Sequence, residues 1–218
     1  MWRNLLRHLF FSLVVGPIVL LWLGLNIRNR DRLPDKGPCL LVANHNSHLD
    51  TVVLISLFPR RKLPGISVAA AADYFLKSKW LAWFALNIIG IIPLVRHQDP
   101  AHKKPIEELL APVSERLAKG DIVIFFPEGS RGELEHMADF KSGVSWIAEH
   151  HPGLPVIPIF LYGLGKALPR GETMLVPFFI DVFVGEALTY EEGEGRAFVQ
   201  RVQGAVEEMA QEGARPWD

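Results

Sequence analysis

Cysteine is nearly absent from this chain of 218 residues, in which Cys39 is the only one. A single cysteine excludes an internal disulfide framework and fits a protein that works in a reducing compartment. There is no CxxC pair or Cys/His cluster at zinc spacing, so the sequence predicts no structural metal site. Because Cys39 lies inside the apolar run 39–42, we interpret it as a small core residue.

An excess of charge of either sign is also missing. The chain has 23 Lys and Arg residues against 24 Asp and Glu residues, which gives a formal net charge of −1. This balance provides no general attraction to nucleic acid, and we predict no nucleic-acid partner. Internal repeats and low-complexity tracts are absent as well, and the length fits a single domain with a sizeable core.

What the chain does have is a long uncharged stretch from Leu9 to Ile27. Its length is about what a bilayer core requires, and a membrane helix tolerates Pro17 better than a soluble helix does. A cleaved signal peptide is the alternative, but basic residues follow the stretch where a small-residue cleavage pattern would be expected. We predict a membrane anchor at 1–32 and a globular domain at 33–218. The anchor could cross the bilayer, loop as a hairpin or lie in one leaflet.

Strand-like and helix-like segments alternate after the anchor. Continuous apolar runs such as 38–43 and 121–126 are typical of strands buried on both faces, whereas apolar residues recur at helical spacing across 101–119. The alternation predicts an α/β fold in which helices flank a mixed, mostly parallel sheet. Pro93 cannot donate to a strand ladder, so its strand is expected near an edge. The predicted strands are 38–43, 65–72, 91–96, 121–126, 155–161 and two between 174 and 184, and the predicted helices are 51–58, 73–87, 101–119, 142–151 and 191–212.

The predicted helix 73–87 is apolar around most of its circumference. Trp80 and Trp83, with Lys77 and Lys79 beside them, suit a helix that lies at a membrane surface. A wide apolar surface equally suits a central core helix, and the sequence favours neither interpretation.

The segment 44–50, with the sequence NHNSHLD, places polar residues between two apolar runs. Such a cluster suits a site at the end of a strand, with His45 as a general base and Asp50 as the carboxylate that orients it. A neutral imidazole, with an ordinary pKa of about 6.5, is well matched to removing a proton from a hydroxyl. Alternatively, Asp50 only caps the following helix and His45 is a turn residue, or His45, His48 and Asp50 bind a metal.

Two further polar clusters follow predicted strands. Arg96 and His97 end one strand, and the segment 128–132, with the sequence EGSRG, follows another. Glycine lets the backbone approach an anion, a serine hydroxyl can donate to it, and the arginine fork matches phosphate oxygens. The glycine–lysine pair of a Walker loop is missing, so this is not a nucleotide-binding loop of that kind.

Four segments, in order, resemble the motifs of the glycerolipid acyltransferases, a superfamily that includes the 1-acylglycerol-3-phosphate acyltransferases. Residues 44–50 resemble the first motif, in which four residues separate a histidine from an aspartate. The other three motifs are resembled by 90–96 (GIIPLVR), 126–131 (FPEGSR) and 154–158 (LPVIP).

The resemblance implies a glycerol-3-phosphate acyltransferase-like fold with His45 and Asp50 as the catalytic dyad. It implies that the acceptor's phosphate site is shaped by Arg96, Glu128, Gly129, Ser130 and Arg131. It places the acyl-binding side at Pro155, Val156, Ile157 and Pro158.

Two motifs depart from the family pattern. Residues 93–95 read Pro-Leu-Val, whereas members that form phosphatidic acid usually have Phe-Ile-Asp. Ser130 stands where the third motif normally has threonine, and Gly132 where it has serine. These differences leave the chemistry intact and the acceptor open.

The resemblance therefore implies an O-acyltransferase of the lysophospholipid type at a membrane, with its active site on the cytoplasmic face. Acyl-CoA or an acyl-carrier protein would be the donor and co-substrate, a lysophospholipid or glycerol phosphate the acceptor, and no cofactor is implied. No G-x-S-x-G elbow suggests a covalent acyl-enzyme. A hydrolase of acyl thioesters or lysolipids, and a non-catalytic lipid-binding protein on the same fold, are the alternatives.

Overall fold

A computed structural model describes residues 2–72, 78–95, 104–129, 137–168 and 174–213. Its centre is a seven-stranded sheet with the strand order β1-β7-β6-β2-β5-β3-β4. The pairs are parallel except for β6 and β7, which run antiparallel. The predicted mixed, mostly parallel sheet is therefore confirmed. The strands are β1 (Leu23–Arg28), β2 (Cys39–Ala43), β3 (Ile66–Ala71), β4 (Ile91–Leu94), β5 (Ile122–Phe125), β6 (Val156–Tyr162) and β7 (Phe178–Val184).

Helices cover both faces of this sheet. Within the described residues they are α1 (Trp2–Trp22), α2 (Leu49–Ser56), α3 (Lys79–Ile89), α4 (Ile106–Ala118), α5 (Gly143–Glu149), α6 (Leu164–Ala167) and α7 (Arg196–Gly213). Short 3₁₀ turns occupy Arg30–Arg32 and Arg60–Gly65.

The core consists of two apolar layers, one on each face of the sheet. Successive strand residues point to opposite faces, so Leu41 packs in one layer and Leu40 in the other. The first layer is closed by α1, α2 and α3, and the second by α4, α5 and α7. Both faces of β2 are therefore buried, which explains why its sequence is continuously apolar.

The N-terminal apolar stretch differs from the prediction in extent. It was expected to continue to Ile27, but the helical part ends at Trp22 and the next six residues form the edge strand β1, which pairs with β7. The segment 23–28 contains a glycine and an asparagine, and its residues alternate between more and less buried. This pattern is typical of a strand and not of a membrane helix. Within the described residues, α1 is the one helix long and apolar enough to cross a membrane.

Two other predicted segments also need correction. One strand, not two, lies between 174 and 184, because Pro177 interrupts the run and the Val176 N–H donates to Ala167 O, outside the sheet. The last helix begins at Arg196 instead of residue 191, since Gly193 and Gly195, both with positive φ, form a turn before it.

The tryptophan-rich segment forms a peripheral helix, α3, that packs beside α1. Trp83 stacks on Trp2 with ring centroids 6.0 Å apart, and Phe84 meets Phe10 edge-on at 5.1 Å. Trp80 is 78% exposed. α3 begins at Lys79, whereas the predicted start at Asp73 lies outside the described residues.

Candidate active site

The first and third motifs lie side by side at one edge of the sheet. β2 and β5 are parallel neighbours, and Val42 pairs with Phe125 near their carboxyl ends. The loops that leave these strands, 44–48 and 126–129, therefore start next to each other. In open α/β sheets this is the edge at which ligands bind.

His45, in the first of these loops, forms a hydrogen-bonded pair with Asp50, in the first turn of α2. His45 Nδ1 lies 2.8 Å from Asp50 Oδ2, and the Asp50 side chain is fully buried. The same oxygen accepts hydrogen bonds from the backbone N–H groups of Asn46 (2.7 Å) and Ser47 (2.9 Å). An ionised carboxylate only accepts, so Nδ1 carries the proton and the lone pair is on Nε2. Nε2 has no hydrogen-bond partner in the described part of the chain.

Asp50 is not the cap of α2. The helix starts at Leu49, and His48, an exposed residue, precedes it. The Asp50 carboxylate turns back to the loop before the helix, where it binds two backbone N–H groups and the His45 ring. A preorganised carboxylate of this kind fixes the tautomer of the histidine and stabilises the imidazolium.

Phe126 and Glu128 hold His45 from the other loop. The His45 ring stacks on Phe126 at a centroid distance of 4.2 Å and an interplanar angle of 21°. The His45 backbone N–H donates to Glu128 Oε1 at 2.7 Å. Both the ring plane and the backbone of His45 are therefore fixed.

Glu128 bridges the two loops and the segment that follows. Its second oxygen, Oε2, accepts a hydrogen bond from the Ala138 backbone N–H at 3.0 Å, and the residue is 2% exposed. Burial raises the pKa of the Glu128 carboxyl, while its hydrogen bonds to Ala138 and His45 oppose that shift. With both oxygens bound to backbone amides, Glu128 is built to position the loops.

Asn44 anchors the first loop to β6, a role that sequence reasoning missed. Its amide donates to Leu161 O (2.9 Å) and accepts from Leu161 N–H (2.7 Å), so the side chain continues the strand ladder. Ser47 Oγ donates to Leu168 O at 3.2 Å. An asparagine directly after a buried strand was the available signal, because a buried amide needs partners of this kind.

The remaining predicted site residues are placed as follows. Gly129 has φ +74° and lies under the Lys141 side chain. Arg96, Ser130 and Arg131 lie outside the described residues. No group of three His, Cys, Asp or Glu side chains in the described ranges is arranged to hold a metal ion.

The fourth motif, 155–158, lies toward the other end of β6. Val156 pairs with Leu40 at the start of β2, and Pro155 O accepts the Leu40 N–H at 3.0 Å. Val156 and Ile157 are buried, one in each core layer. The structure does not bring this motif next to His45, and its acyl-side role stays a prediction.

Known proteins resemble this chain in sequence and in fold. A family model described as Acyltransferase matches residues 24–162. A chloroplast 1-acyl-sn-glycerol-3-phosphate acyltransferase of Brassica napus is 32% identical over 175 residues, which are 78% of this chain and 46% of that protein. A 1-acyl-sn-glycerol-3-phosphate acyltransferase of Pseudomonas aeruginosa is 30% identical over 78% of this chain and 60% of its own length. A lyso-ornithine lipid O-acyltransferase of Rhizobium meliloti is 25% identical over 86% of this chain and 70% of its own length.

The fold has a solved counterpart in the 1-acyl-sn-glycerophosphate acyltransferase PlsC of Thermotoga maritima. The TM-score is 0.71 at 19% identity, and the match covers 98% of this chain and 97% of the other. This chain spans about half the length of the plant relatives. The family model alone covers more than half of the chain, including the His45 and Glu128 loops, and we conclude that the chain belongs to the acyltransferase family.

Proposed function

We propose that the protein is a lysophospholipid O-acyltransferase with His45 as its general base. The observation that carries the proposal is the His45–Asp50 pair at 2.8 Å, with Nε2 unpartnered in the described part of the chain at the ligand-binding edge of the sheet. The acceptor would be a lysophospholipid of the 1-acylglycerol-3-phosphate type, which is the activity in the names of several relatives. The donor would be an acyl thioester.

The proposed reaction needs no covalent intermediate on the protein. Nε2 of His45 removes the proton from the acceptor hydroxyl as its oxygen attacks the thioester carbonyl. The C–S bond then breaks, and the imidazolium returns its proton to the departing thiolate. Asp50 stabilises the imidazolium between these steps, and its complete burial strengthens that charge interaction.

We also propose that α1 and α3 bind the bilayer surface. Both helices bury one side in the first core layer and expose apolar residues on the other. α1 is fixed to the domain near both ends, through Arg7, which donates to Ile66 O and Ile89 O, and through β1, which follows Trp22. A helix held along the domain in this way would lie in one leaflet instead of crossing the bilayer. The exposed apolar residues are Trp2, Leu5, Leu6, Leu9, Leu13, Val14, Leu20, Leu21 and Trp22 on α1, and Trp80, Leu81 and Leu86 on α3.

The carboxyl end of α1 lies at the same edge of the sheet as His45. Leu23 pairs with Phe178 at the start of β7, and β7 runs antiparallel to β6, so this start lies beyond the carboxyl end of β6. The membrane-bound side would therefore adjoin the site. A lysolipid or acyl chain could then reach His45 without leaving the bilayer.

An acyl-transfer assay tests the function. The protein is supplied with radiolabelled acyl-CoA, with and without 1-acylglycerol 3-phosphate, in mixed micelles, and acyl-carrier protein is tested in parallel as donor. The proposal predicts label in a diacylated phospholipid only when the acceptor is present. Free fatty acid formed at the same rate without acceptor would instead identify a hydrolase.

A further inference from the structure

Lys141 lies in the segment 138–141, which is hydrogen-bonded to the loop that positions His45. Its backbone N–H donates to Pro127 O at 3.1 Å, and Ala138, three residues earlier, donates to Glu128. The segment 138–141 is therefore tied to the third motif along its length. These bonds place the start of the Lys141 side chain next to Glu128 and Gly129.

The Lys141 side chain crosses Gly129. A Cβ atom on Gly129 would lie 2.6 Å from Lys141 Nζ, 3.3 Å from Cε and 3.4 Å from Cδ. The positive φ of Gly129 favours glycine, so no side chain separates the Lys141 ammonium from the backbone of this loop. The ammonium thus lies against the backbone of Gly129 in the third motif.

This ammonium has no anionic partner among the described residues. Glu128, the buried carboxylate on the same loop, uses both oxygens for backbone N–H groups and makes no ion pair with Lys141. No other ion pair within the described ranges includes Lys141. Its cationic group is accordingly available to a ligand.

The charges already in the site make such a cation necessary for an anionic ligand. Asp50 and Glu128 are both buried beside His45, and the charge of Asp50 disfavours ionisation of Glu128. A phosphate monoester approaching these two carboxyl groups would be repelled unless cations compensate. In the described part of the site, Lys141 is the lysine or arginine that can supply this compensation.

We propose that Lys141 binds the phosphate group of the substrate and thereby selects a phosphate-bearing acceptor. The proposal rests on the proposed acyltransferase function and deepens it. A lysine ammonium is a mobile point charge with three donors, which suits the oxygens of a terminal phosphate monoester. The phosphate could belong to the acceptor headgroup or to the CoA donor, and we assign it to the acceptor because the segment of Lys141 is hydrogen-bonded to the loop that positions His45.

The test uses the full chain and two acceptors that differ only in the phosphate: 1-acylglycerol 3-phosphate and 1-acylglycerol. The Lys141→Met variant removes the charge and keeps a long side chain, Lys141→Arg keeps the charge, and Lys119→Met makes the neutralising change at an exposed lysine after α4. KM and kcat are measured for both acceptors and for acyl-CoA. Thermal unfolding of each variant checks the fold.

Lys141→Met should raise KM for the phosphate-bearing acceptor about 10-fold, as expected for one charge-assisted hydrogen bond, with kcat changed less than about threefold. Its rate with 1-acylglycerol and its KM for acyl-CoA should equal those of the wild type. Lys141→Arg should recover most of the affinity, and Lys119→Met should resemble the wild type.

Two results would overturn the proposal. An unchanged KM for the phosphate-bearing acceptor in Lys141→Met would make Lys141 a solvated surface residue. A raised KM for acyl-CoA alone would assign the lysine to the donor. In both cases the wild type still transfers acyl groups, whereas a wild type that acylates neither acceptor would refute the proposed function itself.

Discussion

Two groups of buried and half-buried polar side chains lie at opposite ends of the central strands. At the amino ends, Arg116 contacts Asp121 Oδ2 at 2.7 Å and Ser67 Oγ at 2.6 Å. At the carboxyl ends, Asp50 and Glu128 bind backbone N–H groups of the site loops. Both groups bury carboxylates, and in both the carboxylates are hydrogen-bonded, as burial requires.

The two groups differ in which of their polar atoms remain without a hydrogen-bond partner. The pair at the amino ends is closed, since its cation and its anion face each other and link α4, β3 and β5. At the carboxyl ends, backbone N–H groups bind both Glu128 oxygens and Asp50 Oδ2, which also meets the His45 ring, while Asp50 Oδ1 and His45 Nε2 have no hydrogen-bond partner in the described part of the chain. Burial of polar groups alone therefore does not mark a site, whereas burial around an unpartnered base at the carboxyl edge does.

Asp-to-Asn substitutions at the two ends, Asp50→Asn and Asp121→Asn, should separate a catalytic carboxylate from a structural one. Of the two, Asp50→Asn should have the larger effect. Asp50→Asn replaces the acceptor of the His45 Nδ1–H with an amide that can favour the wrong tautomer, so kcat should fall about 10³- to 10⁴-fold. The measurement is the initial rate of acyl transfer at saturating acceptor. A fall of less than tenfold in a folded protein would contradict the role assigned to Asp50.

Glu128→Gln should have an intermediate effect. The amide oxygen can still accept one backbone N–H, but the amide nitrogen would face the other, so one of the two loops loses its tie. We expect kcat/KM to fall about 10- to 100-fold, as for a displaced catalytic geometry. Glu107→Gln, at an exposed residue of α4, is the matched control. Wild-type kcat/KM in Glu128→Gln would show that the bridge does not position His45.

The pH dependence of stability should also differ between the wild type and Glu128→Gln. Burial raises the pKa of Glu128 above its ordinary value of 4.5, so the folded state binds this proton more tightly than the unfolded state. The wild type therefore loses stability from this group as pH rises above 4.5, and Glu128→Gln does not. Urea unfolding at several pH values should show the variant gaining relative stability as pH rises. An opposite trend would mean that the hydrogen bonds outweigh burial.

At the amino ends, Asp121→Asn should lower stability and leave catalysis unchanged. The variant breaks a partly buried ion pair, and because Arg116 is 36% exposed we expect a loss of only about 1–2 kcal/mol in the free energy of unfolding. The kcat of the folded enzyme should stay within about twofold of the wild type. A large loss of kcat would show that the two ends are coupled.

The smallest expected signal is the reaction of the Cys39 thiol in the native protein. It begins β2 next to Asp121, it is fully buried, and burial raises the pKa of its thiol to about 12. At pH 8 the thiol should not react with an aromatic disulfide reagent until the protein unfolds. Rapid reaction of the native protein would show that the amino ends of the strands open to solvent.

The sequence predicted the elements whose patterns are local. β2 and β5 were recognisable because both faces of these strands are buried, and α4 because its apolar residues repeat at helical spacing. His45 and Asp50 were recognisable because they lie five residues apart in one short polar segment. The edge strand β1 was missed because its apolar residues continue the run of α1, and only the pairing with β7 decides its structure.

Contacts between distant segments were beyond a single sequence. Asn44 binds Leu161, 117 residues away, and the His45 backbone binds Glu128, 83 residues away. The stacking of His45 on Phe126 and the placement of Lys141 over Gly129 depend on the parallel pairing of β2 and β5 and on how the chain returns to that edge. Residue patterns show which side chains could act, and the topology shows which ones meet.

The central claim is that His45 is the base for acyl transfer, and the His45→Ala variant tests it most directly. The wild type and the variant are compared for label transferred from acyl-CoA to 1-acylglycerol 3-phosphate, with thermal unfolding and flotation on lipid vesicles as checks of fold and membrane binding. We predict that acyl transfer is abolished while unfolding temperature and vesicle binding stay near those of the wild type. Wild-type turnover in a folded, vesicle-bound His45→Ala protein would contradict the mechanism.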